Sequence, residues 1–193
     1  MNVSADRRRT DANPLRRAAL FFDRDGVINR SPGPARYVER PEDFELLPDF
    51  PQALRTVLGL GYVAVVVTNQ RGVGLGRMSQ EALDAIHRKM VRQLGAEGLH
   101  FLDIRVCTAN DNKDPRRKPN PGMLIEAAET HGLDLTQSWM VGDSETDIEA
   151  GRRAGCRTIR LCPPDVATSA DRRVETLTDL TRLFRSMASK TLS

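Results

Sequence analysis

From residue 18 onward, short apolar runs alternate with segments whose apolar residues recur at helical spacing. Ala18–Phe22 is an apolar run of strand length, and Val63–Thr68 (VAVVVT) is apolar and β-branched, as in a strand covered on both faces. Between them lie the irregular, Pro/Gly-rich segment Ser31–Asp49 and a helical pattern over Pro51–Leu60, with Pro51 in a first turn and glycines at 59 and 61 near its end. Ser79 is placed to cap a helix with Ala82, Leu83, Ile86, Met90 and Leu94 on one stripe. Ile104–Thr108 reads as a third strand. Asn120 and Pro121 open a helix that closes at His131-Gly132. Trp139–Val141 is a fourth strand, Asp147–Ala154 a helix stopped by Gly155, and Thr158–Leu161 a fifth strand. An amphipathic helix from Leu177 to Met187 follows. No internal repeat and no second domain are evident.

Strands alternating with helices predict an α/β fold: a doubly wound, mostly parallel sheet of five strands or slightly more, with helices on both faces. Such sheets bind ligands beyond the C-terminal ends of their strands, near a reversal of strand order. Functional residues should therefore follow the apolar runs directly.

Charge changes the picture only at one end. The 193 residues carry a formal charge of +3, and so do residues 1–17 alone, through Arg7, Arg8, Arg9, Arg16 and Arg17 against Asp6 and Asp11. The remainder is balanced, so the basicity belongs to a tail that is expected to be disordered and solvated, ahead of one domain over 18–193. A neutral body offers no field for a nucleic-acid partner. No stretch approaches the ~20 apolar residues of a membrane span, and the N-terminus lacks the apolar run of a secretory signal. Cys107, Cys156 and Cys162 are odd in number and at no metal-ligand spacing, so no disulfide framework and a cytoplasmic setting are expected. A monomer is the expected quaternary state.

Four polar clusters sit where ligands should bind. The first strand runs into Asp23-Arg24-Asp25-Gly26-Val27-Ile28-Asn29. The second runs into Thr68-Asn69-Gln70 and the glycine-rich Arg71–Gly76. Arg116-Arg117-Lys118-Pro119 precedes the Asn120 helix, and Gly142-Asp143-Ser144-Glu145-Thr146-Asp147 follows the fourth strand. Each alone has a bland reading as a turn, a cap or a solvated surface. Together they bring three carboxylates, a hydroxyl, a lysine and free backbone amides to one sheet edge. Clustered carboxylates repel unless a cation joins them, and all-oxygen ligands favour Mg²⁺ over zinc. Lysine, hydroxyl and amide donors beside that cation describe a phosphate site. The glycine-rich stretch matches neither a P-loop nor a dinucleotide fingerprint.

In this order the clusters resemble the four motifs of the haloacid dehalogenase (HAD) superfamily of phosphatases, over residues 18–165. The wording Asp-Arg-Asp-Gly-Val-Ile-Asn, Thr-Asn-Gln, Arg-Lys-Pro-x-Pro-Gly-Met and Gly-Asp is similar to the branch of heptose 1,7-bisphosphate and histidinol-phosphate phosphatases, whose compact bodies lack a large cap domain. The resemblance implies that Asp23 is the nucleophile, forming an aspartyl-phosphate, and that Asp25 protonates the leaving alkoxide and then activates water. It implies that Thr68 and Asn69 hold phosphoryl oxygens while Lys118 neutralises their charge. Asp23, Asp143 and the Asp25 carbonyl are the implied Mg²⁺ ligands, with Asp147 near them. Gln70, Arg71, Arg117 and Tyr37 complete the substrate side, Arg117 as a bidentate partner for an anionic group.

Many members of this branch hold zinc through Cys and His just before the Arg-Lys-Pro motif. Here Cys107 stands without such partners up to Arg116, and a tetrahedral site needs four ligands, so zinc is not expected. The expected function is Mg²⁺-dependent hydrolysis of a small phosphorylated metabolite. A heptose bisphosphate or similar sugar phosphate is placed ahead of histidinol phosphate. A non-catalytic phosphate-binding protein on this fold, and a nucleic-acid 3′-phosphatase guided by the tail, are the readings from other classes.

Overall fold

The computed structural model describes residues 17–33 and 36–191. The expected disordered tail lies outside them except for Arg17, whose carbonyl accepts from the Asp134 amide at 3.0 Å. Six parallel strands form one sheet: β1 (Ala19–Phe22), β2 (Val63–Asn69), β3 (Asp103–Cys107), β4 (Trp139–Gly142), β5 (Arg157–Leu161) and β6 (Arg172–Val174), in the order β3-β2-β1-β4-β5-β6. The chain winds outward from β1 to β3, returns to β4 beside β1, and winds outward the other way. The reversal falls between the C-terminal ends of β1 and β4, where a doubly wound sheet opens a crevice.

Strand residues alternate between two apolar layers. Leu20, Phe22, Ala64, Val66 and Val141 face α1 (Phe50–Gly59), α3 (Gln80–Gly95) and α6 (Leu177–Thr191). Ala19, Phe21, Val65, Val67 and Met140 face α4 (Gly122–His131) and α5 (Glu145–Ala154). Both faces of the central strands are thus covered, which is why they read as unbroken apolar runs. Phe22 meets Phe50 edge to face with centroids 5.4 Å apart, a pairing worth ~0.5–1.5 kcal/mol beyond the burial of the rings.

The helix boundaries follow their chemistry. Ser79 Oγ accepts from the Ala82 amide at 3.2 Å and starts α3, whose Leu83, Ile86, Met90 and Leu94 are buried. Gly132 and Gly155 adopt left-handed φ of 62° and 86° and end α4 and α5. α5 begins two residues before the expected Asp147, because Ser144 and Asp147 close a capping box. Helix α2 (Arg71–Gly74) and the edge strand β6 were not expected from the sequence. Among the described residues, the connections after β1 and β3 hold nothing larger than one 3₁₀ turn, Pro41–Asp43, so the sheet's C-terminal rim stays uncapped.

Candidate active site

Asp23 follows β1 and still belongs to the sheet, its amide donating to Val141 O of β4 at 3.0 Å. Its carboxylate is therefore fixed at the reversal point. Lys118 arrives from the connection before α4 and is buried. Its Nζ lies 2.6 Å from Asp23 Oδ1, 2.7 Å from Asp147 Oδ1 and 2.8 Å from Val67 O. Three acceptors meet the three hydrogens of one ammonium, so its direction is fixed. The Lys118 backbone is held too: Asn69 Nδ2 donates to Lys118 O at 3.0 Å, and Lys118 N donates to Asn69 Oδ1 at 3.1 Å. Both polar ends of the Asn69 side chain are thereby spent on placing the lysine.

Asp143 follows β4. Its backbone carbonyl accepts from Arg160 Nε of β5 at 3.1 Å, which steadies the turn. The backbone of Gly26 (φ 91°) packs against its side chain, and a Cβ at that position would stand 2.1 Å from Asp143 Oδ2. Gly142 serves Asp147 in the same way, since a Cβ there would stand 2.2 Å from Asp147 Cβ. Asp147 Oδ2 accepts from Ser144 N and Oγ at 3.1 and 2.6 Å, while Oδ1 faces Lys118. One carboxylate thus caps α5 and braces the lysine.

Asp23, Asp143 and Asp147 each offer an oxygen within 4.8 Å of the others. Burial, and then repulsion from Asp147, pushes the Asp143 carboxyl up to about 6. Burial also raises Asp23, against the pull of Lys118 and with repulsion from Asp147 and Asp25 adding to it. Lys118 is held charged by the same two carboxylates, Asp147 and Asp23, against its burial. One ammonium does not balance this group of carboxylates. All-carboxylate donors that repel one another fit a hard divalent cation and not a soft one.

Asp25 is bonded from three sides. Arg24, itself wholly buried, donates through Nε to Oδ1 at 3.1 Å and through Nη2 to both oxygens at 2.9 Å. Asn29 Nδ2 donates to Oδ1 at 2.9 Å, and Gln70 Nε2 donates to Oδ2 at 3.0 Å and to Thr68 Oγ1 at 2.9 Å. Gln70 therefore ties the Thr68 hydroxyl to the Asp25 carboxylate. Asn29 Oδ1 and Gln70 Oε1 are buried without a partner.

The other expected contacts lie around this centre. Arg71 is exposed at the start of α2. Tyr37 is half-buried against Gly72, where a Cβ would come within 3.1 Å of its ring. Arg117 is next to Lys118, its guanidinium held by Asn112 Oδ1 at 3.0 Å and Ala109 O at 3.2 Å. Cys107 is buried at the end of β3 with Asp114 as its polar neighbour. The sequence reading assigned no role to Arg24, Asn29 or His87, which stands against Arg24. Arg24 and Asn29 were visible only as members of a motif. His87 was signalled weakly, four residues after Leu83 and three before Met90, on the flank of the α3 stripe. A hollow of about 500 Å³ lined by Leu60, Tyr62, Gln137, Arg157 and Phe184 lies at the opposite rim of the sheet, away from these carboxylates.

Comparison with known proteins agrees with this geometry. A family model of HAD-hydrolase-like proteins matches residues 115–175. The chain is 35% identical over 163 residues to a D-glycero-beta-D-manno-heptose-1,7-bisphosphate 7-phosphatase of Rhodopseudomonas palustris, covering 80% of this chain and 89% of that one. It is 37% identical over 168 residues to a D-glycero-alpha-D-manno-heptose-1,7-bisphosphate 7-phosphatase of Burkholderia mallei, covering 81% and 87%. The crystal structure of D,D-heptose 1,7-bisphosphate phosphatase from B. bronchiseptica, complexed with magnesium and phosphate, superposes with a TM-score of 0.78 at 29% identity, covering 88% of this chain and 99% of that one.

Proposed function

The chain belongs to the HAD-like hydrolases and is a phosphatase of their heptose-bisphosphate branch, and we propose that it removes the 7-phosphate of D-glycero-D-manno-heptose 1,7-bisphosphate through an aspartyl-phosphate on Asp23. The observation that carries this reading is the Lys118 ammonium fixed between Asp23 and Asp147, with Asp143 beside them. A binding protein has no need of a buried, cation-braced carboxylate at the rim; a nucleophile does.

In the first step an Asp23 carboxylate oxygen attacks phosphorus, and the bond from phosphorus to the sugar oxygen breaks. The departing oxygen takes the Asp25 proton. Lys118 binds Asp23 at Oδ1, leaving the other oxygen for the attack. Asp25 is held on its Arg24, Asn29 and Gln70 side and is 24% exposed, so its open side faces the entering ester. In the second step Asp25, now a carboxylate, takes a proton from water as that water attacks phosphorus and frees Asp23. Asp23, Asp143 and the Asp25 carbonyl would hold Mg²⁺, with Asp147 close by; the ion supplies positive charge to the phosphoryl oxygens as they gain charge. Thr68 and the amides after β2 would receive those oxygens. Asn69 acts through Lys118.

Arg117, Arg71 and Tyr37 stand on the connections that border the site and would meet the rest of the substrate. A second fixed cation suits a substrate with two anionic groups better than histidinol phosphate, whose amine is cationic. Of the relatives named above, that of Rhodopseudomonas palustris is named for the beta anomer and that of Burkholderia mallei for the alpha. Three buried, unpaired cysteines are in keeping with a cytoplasmic setting, and no helix of the described residues is long and apolar enough to cross a membrane. Zinc has no part in the proposal.

The test compares kcat/KM for the two heptose bisphosphate anomers and histidinol phosphate, in the wild type and in Arg117→Ala. A preference for a heptose bisphosphate that Arg117→Ala erodes is expected. A preference for histidinol phosphate untouched by Arg117→Ala would remove the sugar assignment.

A further inference from the structure

Behind the bonds to Asp25 stands a residue the chemistry above does not use. Nε and Nη2 of Arg24 are occupied by the carboxylate, and Nη1 lies 3.3 Å from His87 Nε2. A guanidinium can only donate, so Nε2 of His87 is the acceptor and carries no proton. Burial, and then the Arg24 charge, hold the imidazole neutral, lowering its pKa to about 4.

His87 is mounted rigidly. It rises from the middle of α3, between the buried Ile86 and Met90. The same helix is tied to the 3₁₀ turn after β1, since Lys89 Nζ donates to Pro41 O at 2.7 Å and Phe44 O at 3.0 Å. Remove the imidazole acceptor and a wholly buried cation is left with an unmet N–H, free to seek it by turning its planar fork. The carboxylate that the fork holds would turn with it. A misaligned proton donor costs rate because transfer requires hydrogen-bond geometry at the leaving oxygen.

We propose that His87 is a positioning residue for proton transfer: through Arg24 it orients the Asp25 carboxyl toward the leaving oxygen of the substrate. The proposal rests on Asp25 being the general acid. As the ester bond breaks, its electron pair stays on the sugar oxygen, that oxygen takes the Asp25 proton, and the phosphoryl group passes to Asp23. His87 itself neither gains nor loses a proton.

The leaving group separates this role from a structural one. A sugar alkoxide needs the proton, whereas p-nitrophenolate leaves without it. The experiment measures kcat/KM for heptose 1,7-bisphosphate and for p-nitrophenyl phosphate in the wild type, His87→Leu, His87→Gln and Asp25→Asn, with melting temperatures alongside. His87→Leu is expected to lower kcat/KM on the sugar ester about tenfold or more and to leave the nitrophenyl ester unchanged. His87→Gln, whose amide oxygen can accept from Arg24, is expected to restore the sugar ester. Asp25→Asn is expected to show the same selectivity more severely. Should His87→Leu fail to fold, His87→Met, an apolar side chain with only a weak acceptor, takes its place with the same expectation. If Asp25→Asn discriminates between the esters and the apolar His87 variant does not, the proposal is overturned and the role of Asp25 stands. If Asp25→Asn treats both esters alike, the general-acid reading falls and the proposal with it.

Discussion

At the scale of single residues, the site is built on positions where a side chain is forbidden as much as on those that bear charge. Gly26 joins a positive φ to direct contact with Asp143, so it combines backbone strain with steric exclusion. Gly26→Ala should destabilise the protein by ~1–3 kcal/mol. It should also weaken Mg²⁺ activation by displacing Asp143. Denaturant unfolding and a Mg²⁺ titration of activity check the two effects; an unchanged titration would detach Gly26 from the metal side of the site. The acidic residues were legible in the sequence because the strand-end rule located them, while Lys118, well beyond the end of β3, was legible through its place in the Arg-Lys-Pro wording. Their pairings were not. Asn69 reads like a phosphate ligand, yet its amide clamps the Lys118 backbone, a contact across 49 residues that no local pattern encodes. Asp147 likewise looks like a helix start and is also the second carboxylate on the lysine.

At the scale of elements, the helices and central strands were legible because caps, glycine stops and apolar periodicity all act locally. β6 was missed because Arg172-Arg173-Val174 is a three-residue edge strand with two exposed arginines and no alternation. α2 was missed because glycines at 72 and 74 read as a loop; its first turn packs against Tyr37 and Met78, which would stand 3.1 and 3.2 Å from a Cβ at 72. Helix α3 also makes a pH prediction. His87 faces Arg24, Asp25 and the Asp84 of its own helix, and burial keeps it neutral down to about 4. The unfolded chain protonates this imidazole near its ordinary 6.5. Between those values the unfolded state binds more protons, so this residue's contribution to stability falls as pH falls. Urea unfolding of wild type and His87→Gln between pH 7 and about 4 should show the wild type losing stability relative to the variant toward acid. A constant difference across that range would deny the neutral, half-buried imidazole.

At the scale of the whole molecule, the six-stranded parallel sheet brings four distant segments to one rim, and among the described residues no cap domain covers that rim. Residues 18–193 balance their charges, while the surplus lies in the first 17. Removing residues 1–16 should therefore leave kcat/KM and melting temperature unchanged, at low and at physiological salt. A loss of rate confined to low salt would assign the tail an electrostatic part in substrate capture.

The central claim is that Asp23 carries the phosphoryl group between two displacements. Its most direct test is acid quenching during turnover of heptose 1,7-bisphosphate, followed by peptide mass spectrometry. A phosphoryl adduct is expected on the peptide containing Asp23, absent in Asp23→Asn, whose turnover is abolished while its melting curve persists. Turnover by a contaminant-free Asp23→Asn protein at the wild-type rate, with no adduct on Asp23 in the wild type, would contradict it.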